Sequence, residues 1–129
     1  MPYNLAIRFC SEEWHSENGT NTSFTLWSGD TAVLLVSIRL AQNVVIFNTR
    51  DGLQGPWGPE ERAYINGKFD YSHDVDINCT PDVYQIFAGG NALYDFTKRY
   101  GRDRTIDYIG YDADGGSLFG DYITITMDY

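Results

Sequence analysis

The chain has 129 residues, with nine Lys and Arg against eighteen Asp and Glu, a formal charge of −9 and a pI ≈ 4.4. That length predicts a single domain over residues 1–129, with roughly 6,900 Å² of folded surface and one core that needs no staples. Binding to phosphates needs clustered cations, so the acidic balance excludes nucleic acid as a partner and disfavours an anionic membrane surface.

Alternation, not a helical period, runs along the chain, and 16% of the residues are aromatic, which favours strands. Tyr3, Leu5, Ile7 and Phe9 alternate with Asn4, Ala6 and Arg8, the pattern of a half-buried strand. Residues 11–21 are polar and without period, so a loop is expected. Residues 23–27 form a short strand ended by Ser28-Gly29-Asp30. Over residues 32–39 one face is Ala32, Leu34, Val36 and Ile38, wholly apolar and turned to the core. The other is Val33, Leu35, Ser37 and Arg39, running from apolar to a fixed cation. A turn at 40–43 leads into a strand at 44–48. A loop rich in Gly and Pro covers 50–57, and an extended segment resumes at 60–64.

Residues 82–88, the turn Gly89-Gly90-Asn91 and residues 92–96 predict a hairpin. Residues 106–111, a loop at 112–117 and residues 121–128 supply two closing strands. Many short strands separated by turns predict an all-β fold, a two-sheet antiparallel sandwich with no linker or repeat. Cys10, Cys79, His15 and His73 are scattered, without a CxxC or zinc-ligand spacing. Two free buried thiols are expected, with no metal and no cofactor. No basic segment followed by an apolar run opens the chain, so synthesis in the cytosol without a signal peptide is expected. The longest apolar run, 32–36, is too short to cross a bilayer. The sequons at Asn18, Asn21 and Asn78 read as unglycosylated loop residues.

The polar and aromatic potential concentrates in Trp57-Gly58-Pro59-Glu60-Glu61-Arg62. In an extended segment Glu60 and Arg62 share a face, where a carboxylate and a guanidinium pair side by side. Trp57 offers a flat apolar surface next to them. A sugar ring has one face of C–H groups and a rim of hydroxyls, so it wants an aromatic platform beside fixed donors and acceptors. Arg39 and Asn48, on the polar faces of adjacent strands, complete that rim. The competing reading makes Trp57 a core residue and Glu60–Arg62 a surface ion pair worth little.

Three segments in order, Leu35-Val36-Ser37-Ile38-Arg39, Val45-Ile46-Phe47-Asn48 and Trp57 to Arg62, resemble the galectin family of β-galactoside-binding lectins, its fungal branch above all. The family pattern is His-x-Asn/Ser-x-Arg, a strand ending in Asn, then Trp-Gly-x-Glu-x-Arg. The resemblance implies a jelly-roll sandwich that binds glycans without metal. It implies that Trp57 stacks on a galactose-like ring, and that Arg39, Asn48, Glu60 and Arg62 bond its hydroxyls, with Ser37 at the Asn/Ser position. Leu35 stands where the family usually has His, which contacts the axial hydroxyl that separates galactose from glucose. The alternative ligand class is therefore N-acetylglucosamine or chitin-type glycans. Secretion by a route that bypasses the signal peptide is a second option for localisation.

Other signals read as structure. Asp112-Ala113-Asp114-Gly115-Gly116 opens like a calcium loop but lacks its closing Glu. Asp70, Asp74 and Asp76 raise a small glycoside hydrolase, which works through paired carboxylates, although the dense acidic motif of sandwich-fold glucanases is absent. A third reading is an interaction protein that keeps the fold without the sugar. A single shallow sugar site is weak, and linked sites strengthen it. A homo-oligomer is therefore expected, with the uncharged edge at 122–127 as a pairing strand.

Overall fold

A computed structural model describes residues 5–101, 104–120 and 123–128. Its strands are β1 (Leu5–Cys10), β2 (Asn21–Ser28), β3 (Thr31–Arg39), β4 (Val44–Asp51), β5 (Glu61–Tyr64), β6 (Val75–Cys79), β7 (Val83–Ala88), β8 (Asn91–Thr97), β9 (Tyr108–Asp114) and β10 (Thr124–Asp128). They form two five-stranded sheets, sheet A in the order β10-β1-β6-β7-β8 and sheet B in the order β5-β4-β3-β2-β9. Every pairing is antiparallel. Helical turns among the described residues are the 3₁₀ segments Ser16–Asn18 and Leu40–Gln42. Asn43 closes the second in the left-handed region at φ 58, which asparagine tolerates better than most residues.

Alternation along each strand builds the core. Leu5, Ile7 and Phe9 of β1, with Val75, Ile77 and Cys79 of β6, point inward from sheet A. Phe24, Leu26, Val36, Ile38, Val45 and Phe47 answer from sheet B. Phe9 and Phe24 stack across the interface with centroids 3.9 Å apart. Burying one such side chain stabilises the fold by about 1.5–3 kcal/mol. The pairing of β3 with β4 shifts between Ala32 and Leu35. Consecutive residues Val33 and Leu34 consequently both join the core, and alternation resumes with Leu35, Ser37 and Arg39 on the opposite face from Val36 and Ile38.

The two-sheet antiparallel sandwich is as expected, with several boundaries redrawn. Strand β6 was not anticipated, although Val75, Ile77 and Cys79 alternate with Asp76 and Asn78. Residues 112–114, expected in a loop, are strand, pairing with Ser23, Thr22 and Asn21. Residues 50 and 51 extend β4 rather than opening the loop. Asn78 lies in β6 and Asn21 opens β2, so neither sequon asparagine is in a loop; Asn18 sits in a 3₁₀ turn. Tyr3, Asn4, Asp121 and Tyr122 fall outside the described residues.

Cys10 and Cys79 are free, Cys79 buried but Cys10 only partly so, because β1 ends there. Burial pushes the Cys79 thiol up to about 11. Arg8 takes Asp76 at 2.7 Å and reaches Asp74 at 4.0 Å, which accounts for that acidic pair as one side of an ion-paired surface. His73 stacks on Trp14 at 4.3 Å, and His15 Nδ1 lies 3.0 Å from Glu17. Among the described residues no group of His, Cys, Asp and Glu could hold a metal ion, and no helix is long and apolar enough to cross a membrane.

Candidate functional site

The outward face of sheet B is laid out in rows by its register. Thr25, Leu35 and Asn48 lie opposite one another on β2, β3 and β4. Ser23, Ser37, Ile46 and Arg62 make the next row, reaching β5. Arg39, Val44 and Tyr64 make the third. On the other side of Asn48, Arg50 bridges Trp57. Leu35, Ser37, Arg39, Asn48, Trp57, Glu60 and Arg62, far apart in the chain, thus share one face.

Trp57 is not core. The Gly58 N–H donates to Thr49 O at 2.9 Å, folding the 52–60 segment back along β4. The ring is left 42% exposed, with the Arg50 guanidinium 5.2 Å from its centroid. Glu60 and Arg62 pair as expected, NH2 to Oε1 at 3.3 Å, both about half exposed. Ser37 is buried; its hydroxyl donates to Asn21 Oδ1 at 2.5 Å and accepts from Arg39 Nε at 3.4 Å. It thereby links Arg39 to Asn21 of β2. Leu35 is partly buried, an apolar group amid polar ones.

Asn48 is only 4% exposed. Its Oδ1 accepts from the Thr49 N–H at 2.8 Å and from Arg99 at 3.1 Å, while Nδ2 donates to Gly58 O at 2.8 Å. Arg99 escapes a sequence reading because it follows β8 of the other sheet, and only the packing of the sheets brings it here. A Cβ on Gly58 would come within 2.9 Å of Arg99 NH1 and 3.3 Å of Asn48 Oδ1, so glycine is what lets these groups close up. Glu61, facing inward opposite Phe47, accepts from Tyr94 OH at 2.5 Å and Arg99 NH2 at 2.8 Å. Burial alone would raise its pKa; the bonds from Tyr94 and Arg99, with the guanidinium charge, outweigh this and hold the carboxyl below its ordinary value. The same contact with Glu61 raises Tyr94.

The face therefore offers an indole surface with the Arg50 guanidinium against it, two further guanidinium groups on Arg39 and Arg62, a carboxylate and a fixed amide. That is a set suited to a neutral hydroxylated ring. Comparison with known proteins agrees. Residues 7–115 match the family model described as galactoside-binding lectin. Galectin-1 of Coprinopsis cinerea is 34% identical over 119 residues, covering 91% of this chain and 76% of its own. Galectin-2 of the same fungus is 34% identical over 124 residues, covering 95% and 78%. Among solved structures, Caenorhabditis elegans galectin LEC-6 superposes with a TM-score of 0.67 at 17% identity, covering 98% of this chain and 85% of that one. Sheep Galectin-11, solved in complex with glycerol, gives 0.63 at 14%, covering 97% and 89%. These likenesses establish the jelly-roll β-sandwich. The chain belongs to the galectins, a family of galactoside-binding lectins and not of enzymes.

Proposed function

We propose that this chain is a single carbohydrate-recognition domain whose outward sheet B face binds β-galactoside-type glycans without metal. Trp57 stacks on the C–H face of the ring; Arg39, Asn48, Glu60 and Arg62 bond its hydroxyls. The observation that carries the reading is the half-exposed Trp57 ring beside the Glu60–Arg62 pair, with Asn48 and Arg39 on the same face. A glycan array run alongside a hydrolysis assay tests it. Binding without bond cleavage supports a lectin, cleavage supports a hydrolase, and neither leaves an interaction protein.

Leu35 favours a second ligand class. It lies directly opposite Asn48, in the middle of the face, and cannot hydrogen-bond. Burying an axial hydroxyl against it unbonded costs about 1–3 kcal/mol, which an equatorial hydroxyl, pointing elsewhere, escapes. Wild type is therefore expected to discriminate weakly for galactose, or in favour of N-acetylglucosamine-type ligands. Leu35→His is expected to raise the ratio of lactose affinity to N,N′-diacetylchitobiose affinity, measured for both by titration calorimetry. An unchanged ratio means that Leu35 does not meet the sugar.

Weak single sites gain from linkage, so we also propose a dimer or higher oligomer. Strand β10 is a sheet edge, with Ile125 and Met127 each 38% exposed; it is the edge that a second copy would extend. Light scattering at micromolar concentration is expected to give at least twice the chain mass of 14.6 kDa. A monomer would count against the proposal.

A further inference from the structure

We infer that Arg99 is a positioning residue for the sugar site, acting through Asn48: it locks the side-chain amide so that the site presents a donor there and no acceptor. The inference rests on the glycan-binding reading of sheet B. Its own basis is the geometry around Asn48. Arg99 NH1 donates to Asn48 Oδ1 at 3.1 Å and to Thr49 Oγ1 at 3.0 Å. NH2 donates to Pro59 O at 2.6 Å and to Glu61 Oε2 at 2.8 Å. The N–H groups of both terminal nitrogens are thus matched to acceptors on three consecutive parts of the site: the end of β4, the returning segment and the start of β5. The guanidinium lies 4.9 Å from the Phe96 ring centroid. Glu61, which holds it, is itself held by Tyr94, whose ring stacks on Phe47 at 4.9 Å. The clamp is built into the sandwich, from residues that both sheets supply.

The consequence for Asn48 is directional. Flipping the amide would turn Nδ2 toward the N–H groups of Arg99 and Thr49, and Oδ1 toward Gly58 O. Two donor–acceptor bonds would become donor–donor contacts, and a third would become acceptor–acceptor. Buried polar groups do not accept such mismatches, because each leaves a desolvated donor or acceptor without a partner. With Oδ1 fully used and one Nδ2 hydrogen on Gly58 O, the second Nδ2 hydrogen is what Asn48 has left to offer. A sugar oxygen at this point must accept. A lysine at 99 could not reproduce this, since an ammonium lacks the planar fork that spans four acceptors.

The test uses the full chain and the variants R99K and R99M, with N48A and the double variant R99M/N48A. Circular dichroism melts identify folded protein, and R99K, keeping the charge and most of the stem, is the variant used if R99M fails to fold. Lactose and N,N′-diacetylchitobiose are the probes for titration calorimetry. The Asn48 Nδ2H2 pair, assigned by its loss in N48A, is followed by ¹⁵N–¹H NMR without ligand.

In wild type the two Asn48 amide protons are expected to be well separated and slow to exchange. In the Arg99 variants they are expected to converge and exchange faster. Affinity for whichever sugar wild type binds is expected to fall about tenfold, and R99M/N48A to bind no more than twofold weaker than N48A. Amide signals unchanged by loss of Arg99, wild-type affinity in a folded variant, or effects that multiply in the double variant would each overturn the inference. If wild type binds neither sugar, it is the glycan reading that fails, while the amide signals still decide whether Arg99 fixes Asn48.

Discussion

Trp57→Ala is expected to leave a folded protein with no saturable glycan binding. The ring is 42% exposed and its nearest described ring contact is the Arg50 guanidinium, so little packing is lost. The bond from the Gly58 N–H to Thr49 O is backbone and survives the substitution. The stability cost is expected to be about 1 kcal/mol or less, a shift of a few degrees in the melt. Binding is another matter. An aromatic anchor at the centre of a recognition face typically costs 2 kcal/mol or more when truncated, and a shallow site has no reserve from which to absorb that loss. Calorimetry at millimolar lactose, with a melt on the same sample, separates the two effects. Retained affinity would remove Trp57 from the site.

Arg62→Ala is the next largest, weakening binding by about 1.5–3 kcal/mol, the worth of hydrogen bonds made by a charged group. Arg62 meets Glu60 through one terminal nitrogen at 3.3 Å. The rest of its planar fork is what the proposed site turns toward hydroxyls. With both partners about half exposed, the pair contributes little to folding, so the melt is expected to stay in place while affinity falls. Arg62→Lys is expected to recover little, because an ammonium cannot hold Glu60 and a ligand in one plane. Equal binding by the lysine variant would show that charge, not fork geometry, is what matters at this position.

Much of sheet B was legible because its information is local. The inward Leu34, Val36 and Ile38 and the Glu60–Arg62 spacing each follow from period two, and the fold places them accordingly; Val33, which the same rule puts on the outer face, enters the core because the β3–β4 register shifts beside it. The signals that were lost are of two kinds. In Val75–Cys79 the alternation is present, but its polar positions read differently: Asp76 as a carboxylate of a paired site and Asn78 as a loop sequon, neither as the outer face of a strand. Residues 112–114 read as loop from their Asp and from the glycines that follow; at the edge of a sheet, polar side chains remain solvated while the backbone ladder with β2 forms. Arg99 carried no signal at all. Its partners Asn48, Pro59 and Glu61 lie 38 to 51 positions away, and contact depends on how the two sheets face each other. Asn21, which accepts from Ser37, is closer, on the neighbouring strand β2 and 16 positions away, but it opens that strand in a stretch that reads as loop.

The two sheets are also wired differently along the chain, and that sets an order of assembly. Strands β2, β3, β4 and β5 are successive in sequence and adjacent in space, so their pairings close short loops. Strand β1 instead lies between partners it meets only much later, Leu5 against Cys79 and Cys10 against Thr124. Distant pairings carry the larger loop-closure entropy and slow the search. As the chain leaves the ribosome, the strands bearing residues 35 to 62 can zip together while β1 still waits for the other four strands of its sheet. Arg99 arrives with the β7–β8 hairpin, so the amide it governs is set only after the strand carrying that amide has formed. Refolding followed by a probe on β4 should therefore outpace one on β1, with the recognition face laid down early and tuned late.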